Sequence, residues 1–211
     1  VVVMSDEKGE RIPLTIADFD RQQGTVTMVL MVVGTSSMQL SRLEVGDSLY
    51  ALIGPLGMAS EIEDYRSVVM VAGGVGTAPI YPIARAFHER GCRVITVQGA
   101  RNKELLFWTD RLASVSDEHI LTTDDGSAGH RGRVSDVLPE ILSRTGAGVV
   151  YGCGPMGMLQ SITEVATAHG AVAQVAVEES MACGVGVCMT CVMPIRGNDG
   201  QTRMIRSCVE G

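Results

Sequence analysis

Between residue 63 and about residue 178 the chain alternates apolar runs with amphipathic ones, and few folds accept that rhythm. SVVMVAGG, CRVITVQGA, HILTTDDG, GVVYGCG and AVAQVAVEE read as strands. IYPIARAFHER, ELLFWTDRLASV, VSDVLPEILSR and MGMLQSITEVATAH carry apolar residues at i, i+3 and i+4 and read as helices. Regular alternation of this kind predicts an α/β domain with a parallel sheet covered on both faces, and ligands then collect at the carboxyl ends of the strands.

Three glycine-rich strand ends fall there. Gly73-Gly74-Val75-Gly76-Thr77-Ala78-Pro79 gives a tight turn and a helix start, whose backbone amides can hold a pyrophosphate without a lysine. It is not the G-x-G-x-x-G fingerprint, and paired glycines before a helix also serve packing alone. Gly99-Ala100-Arg101-Asn102 offers Arg101 to a nucleotide phosphate or to solvent, and Gly152-Cys153-Gly154-Pro155-Met156 is the third end. In TTDDGS, Asp124 and Asp125 could accept hydrogen bonds from a ribose and repel a 2′-phosphate, favouring NAD over NADP, although Asp-Asp-Gly is also an ordinary turn. Cys153 and Cys92 are expected to be small buried residues, and His88, His119, His130 and His169 show no metal spacing and are expected at the surface.

Four further cysteines stand apart. Cys183, Cys188, Cys191 and Cys208 follow the order C-x4-C-x2-C-x16-C, with Gly184 and Gly186 in the first gap so that amides can curl around a buried group and point at its sulfurs. The first three positions match plant-type [2Fe-2S] spacing. Structural zinc usually takes two short Cys pairs on separate knuckles, whereas this pattern is three plus one. Disulfides are the other alternative, and the chain shows no secretory segment that would favour them.

Composition narrows the partners. A formal net charge of -7 predicts no general attraction to nucleic acid or anionic membranes, and 45% apolar content over 211 residues suffices for a core. The apolar region from Val68 to Phe87 is interrupted by Gly73, Gly74, Gly76, Pro79 and Pro82 and carries Arg85, so it fails as a membrane span. No targeting signal is evident, and retained thiols point to a reducing, cytoplasmic setting. The chain opens at Val1 within a strand-like run and stops three residues past Cys208, so truncation at both ends is expected.

Residues 1–62 read as a small antiparallel β-barrel. VVVM, IPLTIA, TVTMVLMVV and SLYALIG are separated by the turn-rich SDEKGE, DFDRQQG and RLEVGD. Gly34-Thr35-Ser36-Ser37 precedes a short helical pattern, so amides there could face an anion, or a serine could simply cap the helix. Gly54-Pro55-Leu56-Gly57 closes the last strand and permits close approach of a phosphate.

With RIPLTIADFD, the GPLG turn and the segments after them, nearly all 211 residues resemble one flavoprotein family. It is the electron-transfer subunit of dihydroorotate dehydrogenase B, with relatives in the small subunits of NADH-dependent ferredoxin:NADP oxidoreductase and sulfide dehydrogenase. The resemblance implies a ferredoxin reductase-like fold in three parts: a flavin barrel over 1–62, a nucleotide domain over 63–178 and a [2Fe-2S] segment over 179–211. In the wider superfamily, Arg, two residues, then Ser or Thr holds FAD on a strand. Here Arg11 stands four residues before Thr15, and strand alternation turns it to the other face unless a bulge corrects it. Pro13, Leu14 and Thr15 carry over more directly. Gly34, Thr35, Ser36 and the segment Gly54, Pro55, Leu56, Gly57 match the family's flavin-phosphate contacts, and Cys153, Gly154, Pro155 and Met156 match the segment that lines its nicotinamide.

The resemblance implies an NAD-dependent oxidoreductase of pyrimidine biosynthesis that moves electrons between NAD(H) and a partner redox subunit through FAD and the cluster. No side chain of this chain is expected to act as acid or base. CGPMGM and ESMACGVGVC resemble the dihydroorotate enzyme's subunit, whose partner is a TIM-barrel dehydrogenase. ERIPLTIADFD and the GPLG surroundings resemble the other small subunits, which pair with a larger flavin and iron–sulfur subunit. Those small subunits often place Asp at the first cluster ligand, where this chain has Cys183. From another class, a non-enzymatic nucleotide-binding module with structural zinc would keep the same sheet without a flavin.

Overall fold

The computed structural model describes residues 1–197 and 199–210. The opening strands are shorter than their apolar runs. β1 (Val2–Met4) pairs antiparallel with β2 (Ile12–Pro13), while β3 (Ile16–Asp20) and β4 (Thr25–Met28) form a separate hairpin. TVTMVLMVV leaves the sheet at Met28, and Met31, Val32 and Val33 lie exposed. Apolar character alone does not make a strand, because its amides and carbonyls need a neighbouring backbone. The short helical pattern forms as α1 (Thr35–Leu40), starting at Thr35 itself, and β5 (Ala51–Ile53) returns to the other edge of β1, pairing Val2 with Ile53.

From Ser67 the expected alternation appears: β6 (Ser67–Gly73), α2 (Thr77–Glu89), β7 (Arg93–Ala100), α3 (Thr109–Ser114), β8 (Glu118–Thr123), β9 (His130–Arg131), α4 (Val134–Thr145), β10 (Val149–Cys153), α5 (Met156–Ala168) and β11 (Val172–Ala176). The strands form one parallel sheet in the order β11-β10-β6-β7-β8-β9. Successive residues of β6 serve opposite faces. Val68, Met70 and Ala72 pack with Ile80, Ala84, Phe87 and Leu112, whereas Val69 and Val71 pack with Leu138, Ile141, Leu159 and Ile162. Each large apolar side chain buried this way contributes roughly 1.5–3 kcal/mol, so the sheet holds the glycine-rich ends on a rigid base. Downstream, β12 (Val192–Arg196) and β13 (Thr202–Arg206) form a two-stranded hairpin that ends in α6 (Ser207–Glu210).

By compactness, Val1–Ile16, Met28–Ser60 and the residues from Glu178 onward group together, and Ala17–Thr27 groups with Glu61–Val177. The second grouping has a visible cause. Asp18, buried at the hairpin, binds the guanidinium of Arg85 and, at 2.6 Å, that of Arg111. Arg85 lies over the Phe19 ring at 4.7 Å and Arg111 over Trp108 at 4.4 Å, so both cations are held by aromatic faces as well. Asp18→Ala would leave two half-screened cations without their acceptor. It is expected to lower unfolding free energy by about 2–3 kcal/mol in urea titrations; a loss below ~0.5 kcal/mol would mean that water replaces the carboxylate.

One expected helix breaks in two. ELLFWTDRLASV gives a single 3-10 turn at Lys103–Leu105 and then α3, with Trp108 between them in the left-handed region at φ 54. Gln98, buried in β7, donates to the Phe107 carbonyl at 2.7 Å, removing an acceptor that a continuous helix would use. The tryptophan is then held edge-on to Tyr81, with ring centroids 5.7 Å apart.

His119 also departs from expectation. It is half-buried, bonds Thr96 Oγ1 through Nδ1 at 2.6 Å, and keeps Nε2 buried without a partner among the described residues. Burial lowers its pKa, so below pH ~6.5 the unfolded chain takes up a proton that the folded chain resists. Stability is therefore expected to be fully present above that pH and to fall as the solution is acidified through the folded value. His119→Phe should flatten this slope in melting temperatures measured from pH 7.5 to 5; identical slopes would exclude His119 as its source.

Candidate functional site

At the centre of the parallel sheet, β6 and β10 are neighbours whose following connections leave in opposite directions, to β7 and to β11. Such a switch point opens a crevice at the strand ends, and the first and third glycine-rich ends meet there. A Cβ on Gly76 would lie 2.2 Å from the Cys153 carbonyl oxygen, and one on Gly154 would lie 3.1 Å from Gly73 Cα. Gly76 has an ordinary φ, so close approach rather than backbone freedom requires it. No side chain caps α2, whose Thr77 amide donates back to the Gly74 carbonyl and whose first turn holds Pro79.

Below that turn, the buried Thr77 hydroxyl donates to the Gly74 carbonyl at 3.0 Å and accepts from Gln98 Nε2 at 3.1 Å. Gln98 was not singled out from sequence, although a glutamine inside an otherwise apolar strand is a readable signal. Gly99 is the last residue but one of β7, and Arg101 is exposed just beyond the strand. Asp125 is committed to its own turn: its carboxylate accepts from the Ser127 hydroxyl at 2.6 Å and amide at 2.9 Å, and these bonds lower its pKa. Asp124 is exposed. Cys153 is buried, Pro155 stands at the N-cap of α5, and Met156 is exposed.

In the N-terminal strands, Arg11 lies on the wall of a cavity of about 550 Å³ shared with Met4, Gly9, Glu10, Met181 and Ala182. Pro13 ends β2, Leu14 exchanges both backbone hydrogen bonds with Val1, and Thr15 is exposed in the break before β3. In Gly34-Thr35-Ser36-Ser37 a serine does hold the start of α1, from the third helical position rather than from the N-cap. Gly34 is the N-cap in extended backbone, Ser37 accepts from the Val33 and Gly34 amides at 3.0 Å, and Ser36 donates to Glu10 at 2.9 Å. Thr35 is exposed. The Gly54-Pro55 bond is cis, and the turn runs directly to the cysteine segment: Leu56 Cδ1 lies 3.5 Å from where a Gly184 Cβ would stand, and the Cys208 carbonyl 3.8 Å from one on Gly57.

The cysteine loop is built around its sulfurs. Gly184 and Gly186 take φ of 69 and 78, and Met189 takes 62, which turns consecutive amides inward. The Cys183 sulfur accepts from Val185, Val187 and Cys188 amides at 3.5, 3.3 and 3.4 Å. Those amides hold its thiol below the usual range, and the Thr190 hydroxyl and amide bring Cys188 down to about 6. The β12–β13 hairpin returns Cys208 to Cys191, with the Ser207 amide bonded to the Cys191 carbonyl at 3.1 Å. Cys208 backbone and thiol lower Cys191, while burial raises Cys208.

The Cys188 amide bonded to the Cys183 sulfur, and the Ser207 amide bonded to the Cys191 carbonyl with Cys208 next in the chain, thus set Cys183 beside Cys188 and Cys208 beside Cys191. Among the described residues no three His, Cys, Asp or Glu side chains converge on a single metal ion. Two thiol pairs suit a group with two metal centres better than the single tetrahedral ion of a zinc knuckle. Arg206, which spacing did not flag, donates through Nη1 to the Gly186 carbonyl at 3.1 Å and through Nε to Glu210 at 2.8 Å, tying loop to hairpin.

Comparison with known proteins adds two family matches: an oxidoreductase NAD-binding domain over residues 70–164, and the iron–sulfur cluster binding domain of dihydroorotate dehydrogenase B over residues 178–211. The chain is 40% identical over 211 residues, all of it and 73% of the relative, to a dihydroorotate dehydrogenase B (NAD(+)) electron transfer subunit homolog of Thermotoga maritima. It is 33% identical over 204 residues, 95% of this chain and 79% of the relative, to the electron transfer subunit of that enzyme from Streptococcus pneumoniae serotype 4. Among solved structures, that of the NADH-dependent reduced ferredoxin-NADP oxidoreductase superposes with a TM-score of 0.88 at 39% identity, covering 100% of this chain and 74% of that one.

Proposed function

The chain belongs to the family of dihydroorotate dehydrogenase B electron-transfer subunits, and on that footing we propose that it carries electrons between NAD(H) and the catalytic subunit of such an enzyme. It is an NAD-dependent oxidoreductase subunit with FAD and a [2Fe-2S] cluster. When bound, the flavin supplies the exchange between a two-electron hydride and single electrons, and the cluster carries the single electrons onward. The observation that carries the reading is the nearness of Leu56 to the cysteine loop at Gly184 and of Gly57 to the Cys208 backbone, with three amides turned onto the Cys183 sulfur.

The protein's own residues position and shield. The amides around Gly74, Gly76 and Thr77 would hold the dinucleotide pyrophosphate, Gly99 and Arg101 would border the adenosine side, and Asp124 is the carboxylate left to face a ribose. Cys153, Gly154, Pro155 and Met156 would line the nicotinamide. Pro13, Leu14 and Thr15 would edge the flavin ring, with Arg11, Gly34, Thr35, Ser36 and Gly54 through Gly57 toward its phosphates. Cys183 and Cys188 would ligate one iron, Cys191 and Cys208 the other. Among the described residues no helix is long and apolar enough to cross a membrane.

The test is anaerobic purification followed by elemental and optical analysis. About two irons, two sulfides and one FAD per chain, with NADH bleaching the spectrum, are expected; a colourless zinc protein would overturn the reading. A second reading, as the small subunit of a ferredoxin:NADP oxidoreductase, draws on the structural likeness at TM-score 0.88. The two differ in partner rather than in this chain's chemistry. Dihydroorotate-dependent formation of NADH by the co-purified complex supports the first, and its absence alongside ferredoxin-dependent activity supports the second.

A further inference from the structure

The Ser207 hydroxyl has no role in holding this fold. Its oxygen is buried and makes no hydrogen bond of regular geometry among the described residues, although a buried hydroxyl normally finds an acceptor. Its backbone is fixed at both sides: the amide donates to the Cys191 carbonyl at 3.1 Å, and Cys208 follows in the same turn of α6. Neighbouring Arg206 is engaged elsewhere, through Nε with Glu210 and through Nη1 with the Gly186 carbonyl. A buried donor beside two sulfur ligands, itself unspent, is arranged for an acceptor that the polypeptide does not provide.

We propose that the Ser207 hydroxyl donates a hydrogen bond to a sulfur of the cluster, the Cys191 thiolate or an adjacent sulfide, and thereby raises the cluster's reduction potential. The inference rests on the cluster reading above. Reduction adds one electron to the cluster and places negative charge on its sulfurs. A donor bond therefore strengthens on reduction, favours the reduced form, and shifts the potential upward. The serine is a positioning and tuning residue: it ligates no metal and transfers no proton.

Anaerobic redox titration of the holoprotein, followed by the electron paramagnetic resonance signal of the reduced cluster, tests this. Ser207→Ala is expected to make the cluster about tenfold harder to reduce at equilibrium, a fall of about 59 mV for one electron, at unchanged iron and sulfide content. Ser207→Thr keeps the hydroxyl and should keep the potential. Should Ser207→Ala fail to hold the cluster, Ser207→Gly is the second hydroxyl-free variant, since the position opens a short helix. Wild-type potential in a hydroxyl-free variant with full iron content would overturn the proposal, as would a fall of equal size in Ser207→Thr. Absence of iron and sulfide from the unaltered protein would instead overturn the cluster reading itself and the tuning role with it.

Discussion

Cys208→Ser is expected to strip iron from the protein while leaving the nucleotide site intact. Cys208 is buried and is the partner of Cys191, reached only through the β12–β13 hairpin, so no other thiol can take its place. Cluster retention should fall by roughly 100-fold or more, since even outer residues around metal sites are worth 10–100-fold. Electron delivery to a one-electron acceptor should fall with it, whereas NADH should still bleach a bound flavin. Cys92→Ser is the matched control: Cys92 is also buried, but its thiol is raised by burial and lies in the apolar layer beneath α2. If Cys208→Ser keeps two irons per chain, or if Cys92→Ser loses them equally, the thiol pairing derived from the structure is wrong.

Gly76→Ala is the second large effect. Its added carbon would sit 2.2 Å from the Cys153 oxygen and 2.6 Å from the carbon bearing it, and both are backbone atoms that cannot rotate away. The turn after β6 and the turn after β10 must then separate, which opens the crevice where a dinucleotide would lie. Overpacking of this kind costs about 1–3 kcal/mol, so NADH affinity should weaken about 10–100-fold. Gly157→Ala provides the comparison, since nothing lies within 4 Å of its added carbon and it sits exposed in the first turn of α5. That substitution should leave NADH titrations unchanged and raise the melting temperature slightly through helix propensity. Equal NADH affinity in Gly76→Ala and wild type would remove this turn from the binding site.

The α/β part was legible in the sequence because its elements are specified locally. Each of the five runs forms a strand within one or two residues of its apolar limits, and in β6, β7 and β10, buried on both faces, a continuous apolar run suffices. Where the outcome depends on a distant group, the local pattern misleads. The helix expected from Glu104 breaks at Trp108 because Gln98 takes the Phe107 carbonyl, and nothing in residues 104–115 announces that. The two-residue strand β9 exists only by pairing with Thr122 and Thr123. The grouping of Ala17–Thr27 with the parallel sheet hangs on Asp18 meeting Arg85 and Arg111, 67 and 93 residues away.

At the site, spacing singled out the four cysteines without indicating which of them stand together. The pairing of 191 with 208 requires the hairpin, and spacing alone gives Ser207 no more weight than any other serine. Similarly, Ser36 and Ser37 are equivalent as letters. Only the turn geometry sends Ser37 back to the Gly34 amide and Ser36 across to Glu10.

The route by which the fourth cysteine arrives has a bearing on maturation. Three of the sulfurs lie within one loop of nine residues, and the last comes from the end of a two-stranded hairpin with no strand in the parallel sheet. Insertion of metal, and its replacement after damage by oxygen, can therefore proceed by peeling back that hairpin. The six-stranded core need not unfold for the centre to be rebuilt.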